Sequence, residues 1–250
     1  MLQREDAITK RIQLLCALCG PAMIVVAFTG WFLAGVLPLP LGAHNTTDQV
    51  VAFYRDHWTA VRAGLVIAGV GLGGIFPLVA VISIQMMRME GRYPILTFLQ
   101  LVTGSATGVL LLVPMLLMTI AGFRPDRTPE ITVTLNDAAW LLFITPIMPF
   151  IIQNIAIGVA VLTDRNGIFP RWCGYLNLLV GFSFLPDVLP YFFYSGPFAW
   201  DGIFVFWLAL TTYTIWAITM GILARRAVLA DPNLAEAPLA GASTTKTAAA

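Results

Sequence analysis

A carboxyl group inside an apolar stretch is the strongest candidate for chemistry in this sequence. Asp187 lies in Leu185-Pro-Asp-Val-Leu-Pro190, about two-thirds of the way along a hydrophobic segment. Ionisable side chains at such a depth are costly and usually face a bundle interior or water. A carboxyl there suits a proton relay, an intramembrane acid or base, or a cation partner such as Arg62. The equally concrete alternative is that Pro186 and Pro190 end the helix early and Asp187 caps a short interfacial segment.

Two further carboxyl groups stand beside tryptophan at the starts of other apolar segments. Asp137 precedes Trp140, and Asp201 follows Trp200. Helix capping is one explanation, because aspartate at a helix start accepts backbone N–H bonds and Trp prefers the membrane interface. The functional alternative is that Asp137, Asp187 and Asp201 converge on one outward-facing cavity as candidate catalytic groups. The ligand-contacting residues predicted for that cavity are Trp140, Trp200, Tyr191, Phe198, Arg62 and His57.

Residue types that commonly bind metals or cofactors occur without a complete set. His44 and Asp48 are four residues apart, with a second acid and histidine beyond them, but spacing alone does not define a closed ligand set. Cys16 and Cys19 have redox spacing, yet they lie inside the first apolar run, where we expect reduced, buried thiols. The sequence contains no nucleotide loop, haem pair or cysteine cluster. We therefore predict neither a metal nor a cofactor.

Composition indicates which elements position these groups. Of 250 residues, 58% are hydrophobic and 11% charged, with a mean hydropathy of +0.83, whereas soluble domains have about 45–50% and about 25%. Apolar runs of about 20 residues indicate bilayer spans. We predict an all-α, polytopic membrane bundle occupying residues 1–228, with spans at 12–37, 61–87, 95–121, 138–163, 173–194 and 202–224. The first run has 26 residues, too many for the apolar region of a signal peptide, about 7–15.

Orientation is predicted from the distribution of lysine and arginine, because positive residues near span ends are retained in the cytoplasm. Arg55, Arg62, Arg124 and Arg127 fall on one side, and the other ten fall on the opposite side. Both termini are therefore expected in the cytoplasm of a multi-pass cell-membrane protein. With a net charge of +1 and no basic cluster, the expected partner is the lipid bilayer and not nucleic acid.

Two segments outside the spans have distinct patterns. Residues 47–60 are predicted to form an amphipathic outer helix capped by Thr46 or Thr47, with an apolar stripe at spacings of three and four residues. The stripe consists of Val51, Tyr54, Trp58 and Val61. Residues 229–250 contain almost no large apolar side chains and are predicted to form a disordered cytoplasmic tail.

A short pattern occurs twice in the chain. Residues 91–94 and 167–170 both run from Gly to an aromatic residue and Pro, and Gln100 and Asn177 follow at an offset of 77 residues. Duplication of a hairpin and convergence on the same turn chemistry both explain the match. In either case each amide is expected to find an interhelical partner, since an amide facing lipid would be costly.

The last third of the chain carries a family resemblance. Phe169-Pro-Arg-Trp172, then Gly174-Tyr-Leu-Asn177, and later Gly196-Pro-Phe-Ala-Trp-Asp-Gly202 form the pattern FPRW-x-GYLN and GPFAWDG. This pattern resembles one in small six-span bacterial integral membrane proteins. The resemblance implies a membrane fold in a bacterial inner membrane, and it implies no reaction, substrate or catalytic residue.

Three functions follow from these patterns and remain open at this point. The first is a non-catalytic protein that binds an apolar small molecule or lipid in an outward-facing cavity, or an accessory subunit. The second is an intramembrane enzyme that uses Asp187, assisted by Asp137 or Asp201, on an isoprenoid-like substrate. The third is a proton-coupled transporter of small molecules that uses the same carboxyl group.

Overall fold

The computed structural model describes residues 2–124 and 126–235, and these residues are all-α. The predicted tail from 236 onward lies outside the described residues. Ten α-helices are joined by one 3₁₀ segment, Leu185–Tyr191, and one π segment, Ile203–Trp207. The α-helices are α1 Leu2–Ala34, α2 Thr47–Asp56, α3 Trp58–Leu72, α4 Ile75–Glu90, α5 Ile95–Ala121, α6 Pro129–Ile144, α7 Met148–Thr163, α8 Arg171–Ser183, α9 Leu208–Leu229 and α10 Pro232–Ala235.

Six helical segments are long and apolar enough to cross a membrane, which confirms the predicted number of spans. They are Asp6–Ala34, Trp58–Glu90, Ile95–Ala121, Pro129–Thr163, Arg171–Tyr191 and Ile203–Leu229. The third has the predicted bounds, and the others differ at one or both ends. The fourth begins at Pro129 instead of 138, because a proline in the first helical turn starts the helix before its apolar stretch begins. Hydropathy detects the apolar part of a helix and not its polar ends.

Four of the six spans depart from a regular α-helix. The second is interrupted at Gly73–Gly74, between α3 and α4, and the fourth at Thr145–Ile147, between α6 and α7. The fifth continues from α8 into the 3₁₀ segment, and the sixth begins with the π segment. Backbone groups released by such interruptions are tolerated at membrane depth only inside the protein or beside a cavity.

The amphipathic helix is confirmed, but it is shorter than predicted and ends at Asp56. Thr46 Oγ1 accepts a hydrogen bond from Gln49 N at 3.3 Å, and Gln49 Oε1 accepts one from Thr46 N at 2.9 Å. This reciprocal capping box fixes the start of α2. The helix packs on α6 through buried Tyr54, whose hydroxyl donates to Asn136 Oδ1 at 3.0 Å.

The two ends of the bundle are built differently, and we call them the terminal end and the α2 end. At the terminal end, Lys10 Nζ donates to Leu234 O at 3.0 Å and Asn166 Nδ2 donates to Arg88 O at 2.9 Å. Arg88 also forms an ion pair with Asp231 at 3.5 Å. The segments predicted to share the cytoplasmic side therefore meet at one end. The orientation of that end in a membrane stays a prediction.

Buried amides connect the helices near the terminal end. Gln100 Oε1 accepts from Ser83 Oγ at 2.6 Å, and Asn177 Oδ1 accepts from Trp216 Nε1 at 3.0 Å. These bonds confirm the interhelical partners predicted for both amides. Gln153 is also buried, yet neither of its amide atoms has a hydrogen-bond partner among the described residues.

Candidate functional site

A cavity lies at the α2 end, where α2, α3, the end of α5 and the start of α6 meet. Its volume is about 360 Å³, within the range of about 300–1,000 Å³ that is usual for small-molecule sites. The described residues that line it are Tyr54, Arg55, Trp58, Arg62, Ala121, Gly122, Phe123, Arg124 and Thr132. Arg62 is the one residue of this set that the sequence analysis predicted as a ligand contact.

Arg62 is held in place by the end of α5. Its Nε and Nη2 donate to Gly122 O at 3.1 and 2.9 Å, and Nη2 also donates to Phe123 O. The guanidinium lies 4.4 Å from the Trp58 ring centroid and 5.3 Å from that of Phe123. A cation is favourable at a helix C-terminus, so Arg62 caps α5. It is not the partner of Asp187, which forms no ion pair among the described residues.

The α2-end cavity carries positive charge. Arg55 and Arg124 join Arg62 in its wall, and none of the described lining residues is an aspartate or glutamate. Arg55 Nη2 donates to the backbone oxygen of Arg127 at 2.9 Å, so this guanidinium also contacts a carbonyl group instead of a carboxylate. The arrangement can attract an anion, because like charges lie close together without a negative side chain between them.

Tyr54 in the wall of this cavity begins a hydrogen-bonded chain of three side chains that continues away from the cavity lining. Tyr54 donates to Asn136, and Asn136 Nδ2 donates to Asp137 Oδ1 at 3.3 Å. Burial and, to a smaller degree, the negative charge of Asp137 raise the pKa of Tyr54 above its ordinary value. The phenol therefore remains a hydrogen-bond donor. Asp137 is linked to Tyr54 through Asn136, at the contact between α2 and α6.

A second, smaller cavity lies in the interior beside Asp187 and has a volume of about 70 Å³. Asp187 is 1% exposed, and its Oδ1 has no hydrogen-bond partner among the described residues. Each of the two sequence interpretations is correct in part. The α-helix does end early, at Ser183, but the 3₁₀ segment continues the span and buries the carboxyl group.

Trp140, Trp200 and Asp201 lie together in a packed region. The two indole rings are stacked with centroids 6.5 Å apart, and Trp200 Nε1 donates to Leu41 O at 2.7 Å. Both tryptophans are buried, and their rings are part of the hydrophobic core. Asp201 Oδ2 lies 3.9 Å from His44 Nδ1, which joins the first loop to the start of the sixth span.

The remaining predicted ligand contacts lie near the surface. Tyr191 is exposed, and its hydroxyl is 2.6 Å from Thr145 Oγ1. Phe198 stacks on Phe204 with centroids 5.4 Å apart. His57 is exposed at the junction between α2 and α3 and does not line the α2-end cavity.

The structure therefore distributes the predicted site residues over several places. The cavity beside Asp187 has neither Asp137 nor Asp201 among its lining residues. Sequence reasoning missed most of the residues that line the two cavities, among them Arg55, Trp58 and Arg124 at the α2 end and Tyr213 in the interior. Trp58 was assigned to an apolar stripe, although its spacing of four residues from Arg62 was a usable signal.

Cysteine and histidine do not form a metal centre in the described part of the chain. No group of three or more His, Cys, Asp or Glu side chains is placed to hold an ion there. Cys16 and Cys19 are free but only partly buried, so the expectation of buried thiols is wrong. Cys16 packs at the edge of the core, and Cys19 faces a shallow pocket shared with Val70 and Gly74, so neither thiol is fully enclosed.

Comparison with known proteins identifies no relative. No family model matches the chain, and no curated protein or solved structure matches it. The resemblance of residues 169–202 to small six-span bacterial membrane proteins therefore stays a prediction. What the structure establishes is an all-α chain with six candidate membrane spans.

Proposed function

We propose that this polytopic membrane protein binds an anionic amphiphile, through the phosphate of a lipid headgroup, in the α2-end cavity. One observation carries the proposal: among the described residues, three guanidinium groups and no carboxylate line a cavity of about 360 Å³ at one end of the spans. Clustered positive charge of this kind attracts anionic headgroups at a membrane surface. The cavity is also far larger than the interior cavity of about 70 Å³.

Arg62 is suited to phosphate recognition because its position is fixed before a ligand arrives. The hydrogen bonds to Gly122 and Phe123 use Nε and Nη2, and Nη1 donates to none of the described residues. Two N–H groups are thus available for phosphate oxygens. Arginine binds phosphate through such paired N–H donors, and a preorganised guanidinium loses little conformational entropy on binding.

The rim of the cavity suits the apolar part of an amphiphile. Trp58 is 52% exposed and Phe123 is 61% exposed. Amphipathic aromatic rings are favoured at the level of lipid headgroups, and an acyl chain can lie against them. In the predicted orientation the ligand would come from the extracytoplasmic leaflet.

The test is lipid binding to the purified full chain in nanodiscs, with phosphatidylglycerol compared with phosphatidylcholine by native mass spectrometry. Arg124→Gln is the informative variant, because Arg124 is exposed and its loss spares the cap on α5. We expect about fivefold weaker phosphatidylglycerol binding, from about 1 kcal/mol per arginine near the surface. The matched control is Arg165→Gln, an equally exposed arginine at the terminal end.

Two comparisons make the result decisive. Competition with inorganic phosphate separates a headgroup site from a site for the free anion, since the amphiphile should resist displacement through its apolar part. The wild type should also bind phosphatidylglycerol more weakly as salt is raised, because exposed charges are screened. Equal binding of the two lipids by the wild type would contradict the proposal.

A further inference from the structure

The four span interruptions meet at one place in the molecule. Leu72 precedes the break in the second span, Ile144 precedes the break in the fourth, and Phe206 lies in the π segment of the sixth. These three residues and Asp187 of the 3₁₀ segment all line the interior cavity. Interrupted helices that converge on a cavity are typical of ligand sites inside membrane bundles.

Two polar atoms that lack a partner belong to this cavity. Asp187 Oδ1 and the hydroxyl oxygen of Tyr213 are both buried without a hydrogen-bond partner among the described residues. Their side chains are 1% and 9% exposed, respectively. The other lining residues are apolar, namely Trp31, Leu72, Leu111, Phe143, Ile144, Phe184, Phe206, Ala209 and Leu210. A buried carboxyl group is ionised only at high cost without a compensating positive charge, so a cationic occupant of this cavity would stabilise the charged form of Asp187.

The chemistry of the walls selects among cations. Metal cations such as Ca²⁺ or Mg²⁺ require about six or more oxygen ligands, whereas the side-chain oxygens here come from Asp187 and Tyr213. Aromatic side chains form much of the remaining wall, including Trp31, Phe143 and Phe206. Aromatic rings attract ammonium groups through their negative faces, and the attraction is strongest when the cation is desolvated.

Size restricts the occupant further. The interior cavity of about 70 Å³ holds a few small molecules of the size of water, each of which needs about 10–15 Å³. A neighbouring cavity of about 50 Å³ shares Phe143, Phe184 and Tyr213 with it. Together they have room for an ammonium group and a short alkyl chain, and none for a drug-sized ligand.

We propose that the cavity beside Asp187 binds ammonium or a short primary alkylammonium ion. Asp187 is the counter-ion, the Tyr213 hydroxyl accepts one N–H bond, and the rings of Trp31, Phe143 and Phe206 surround the rest of the cation. This site is independent of lipid binding at the α2 end, because the two cavities share no lining residue.

The experiment measures saturable binding of radiolabelled methylammonium to the purified full chain in nanodiscs. The wild type should bind it, and Asp187→Asn should abolish saturable binding. Tyr213→Phe, which removes only the hydroxyl, should weaken binding about tenfold, as expected for one hydrogen bond to a charged group. The matched control is Asp201→Asn, a change of a partly buried carboxyl outside both cavities, which should leave the affinity unchanged.

Several outcomes would overturn the inference. These are absence of saturable methylammonium binding in the wild type, equal losses in Asp187→Asn and Asp201→Asn, and displacement by sodium as effective as displacement by unlabelled methylammonium. If Asp187→Asn does not fold, Tyr213→Phe decides the question, and wild-type affinity in that variant contradicts the proposal. Phosphatidylglycerol binding by the same samples shows separately whether the α2-end proposal holds.

Discussion

Arg88 and Arg62 occupy opposite ends of the same bundle and show how differently those ends are built. Arg88 donates to Gln85 Oε1 and to Ala227 O, and it pairs with the Asp231 carboxylate at 3.5 Å. Arg62 contacts backbone carbonyl groups after α5 and two aromatic rings, and no carboxylate is paired with it in the described chain.

The difference separates a structural role from a binding role. At the terminal end, the positive charge of Arg88 is paired with the Asp231 carboxylate, and Arg88 also joins α4 to α9 through Ala227 O. At the α2 end, positive charge is positioned by carbonyl groups but is not neutralised by an acid in the cavity wall. An unneutralised guanidinium at the wall of a cavity remains available to an external anion, and a paired one does not.

The largest loss of stability is expected from removing Arg88, the arginine that is paired with a carboxylate. Arg88→Ala should lower the free energy of unfolding by about 3 kcal/mol, because it leaves the largely buried Asp231 carboxylate and Gln85 without their partner. Chemical denaturation in detergent micelles measures this value. Arg92→Ala, a change of an exposed arginine at the same end, is the control and should have little effect. A loss no larger than that control would show that the terminal end is not held by the ion pair.

A smaller loss of stability is expected from removing the Tyr54 hydroxyl group at the α2-end cavity. Tyr54→Phe removes the bond to Asn136 and should cost about 1–2 kcal/mol at neutral pH. Burial raises the folded-state pKa of Tyr54 above its unfolded value, so its contribution is present below about pH 10 and is lost as pH rises further. Stability measured across this alkaline range should therefore fall more steeply for the wild type than for Tyr54→Phe. Tyr93→Phe, at an exposed position, serves as the control and should match the wild type.

The smallest loss of stability is expected from a change at the start of α2. Thr46→Ala removes one half of the capping box and should cost about 1 kcal/mol or less. Hydrogen exchange of the α2 amides is the sensitive measurement, because a lost cap frays the first turn before the bundle opens. Thr47→Ala changes the neighbouring residue without removing the cap. Similar exchange in both variants would contradict the assignment of Thr46 as the cap.

Most of the fold was predictable because lipid imposes a simple requirement on sequence. A span needs about 20 apolar residues, and this signal is local, so six spans emerged from composition alone. The amphipathic α2 and its Thr46 cap were predictable for the same reason, since spacings of three and four residues define one face. The helix interruptions were harder to locate, because glycine and proline occur both in broken and in continuous membrane helices. Pro21 and Pro114, for example, lie inside uninterrupted α1 and α5.

The candidate sites were less predictable because each is assembled from distant segments. Asp187 stood out as an ionisable group in an apolar run, and the structure does bury it. Its neighbour Tyr213 gave no local signal, because a tyrosine in a span is ordinary and the unpartnered hydroxyl becomes visible only after packing. Similarly, Arg62 was singled out for a different partner, and the end of α5 that holds it is 60 residues away in the chain.

The sequence by itself determined an all-α architecture with six candidate spans and the amphipathic helix α2, because hydrophobicity and helical spacing are properties of neighbouring residues. Tertiary structure decided which charges are neutralised and which face a cavity. It paired Arg88 with Asp231, placed Arg55, Arg62 and Arg124 in the wall of one cavity, and placed Tyr213 and Asp187 in the wall of another. Such pairings depend on which helices pack together, and hydropathy carries no information about the choice of packing partner.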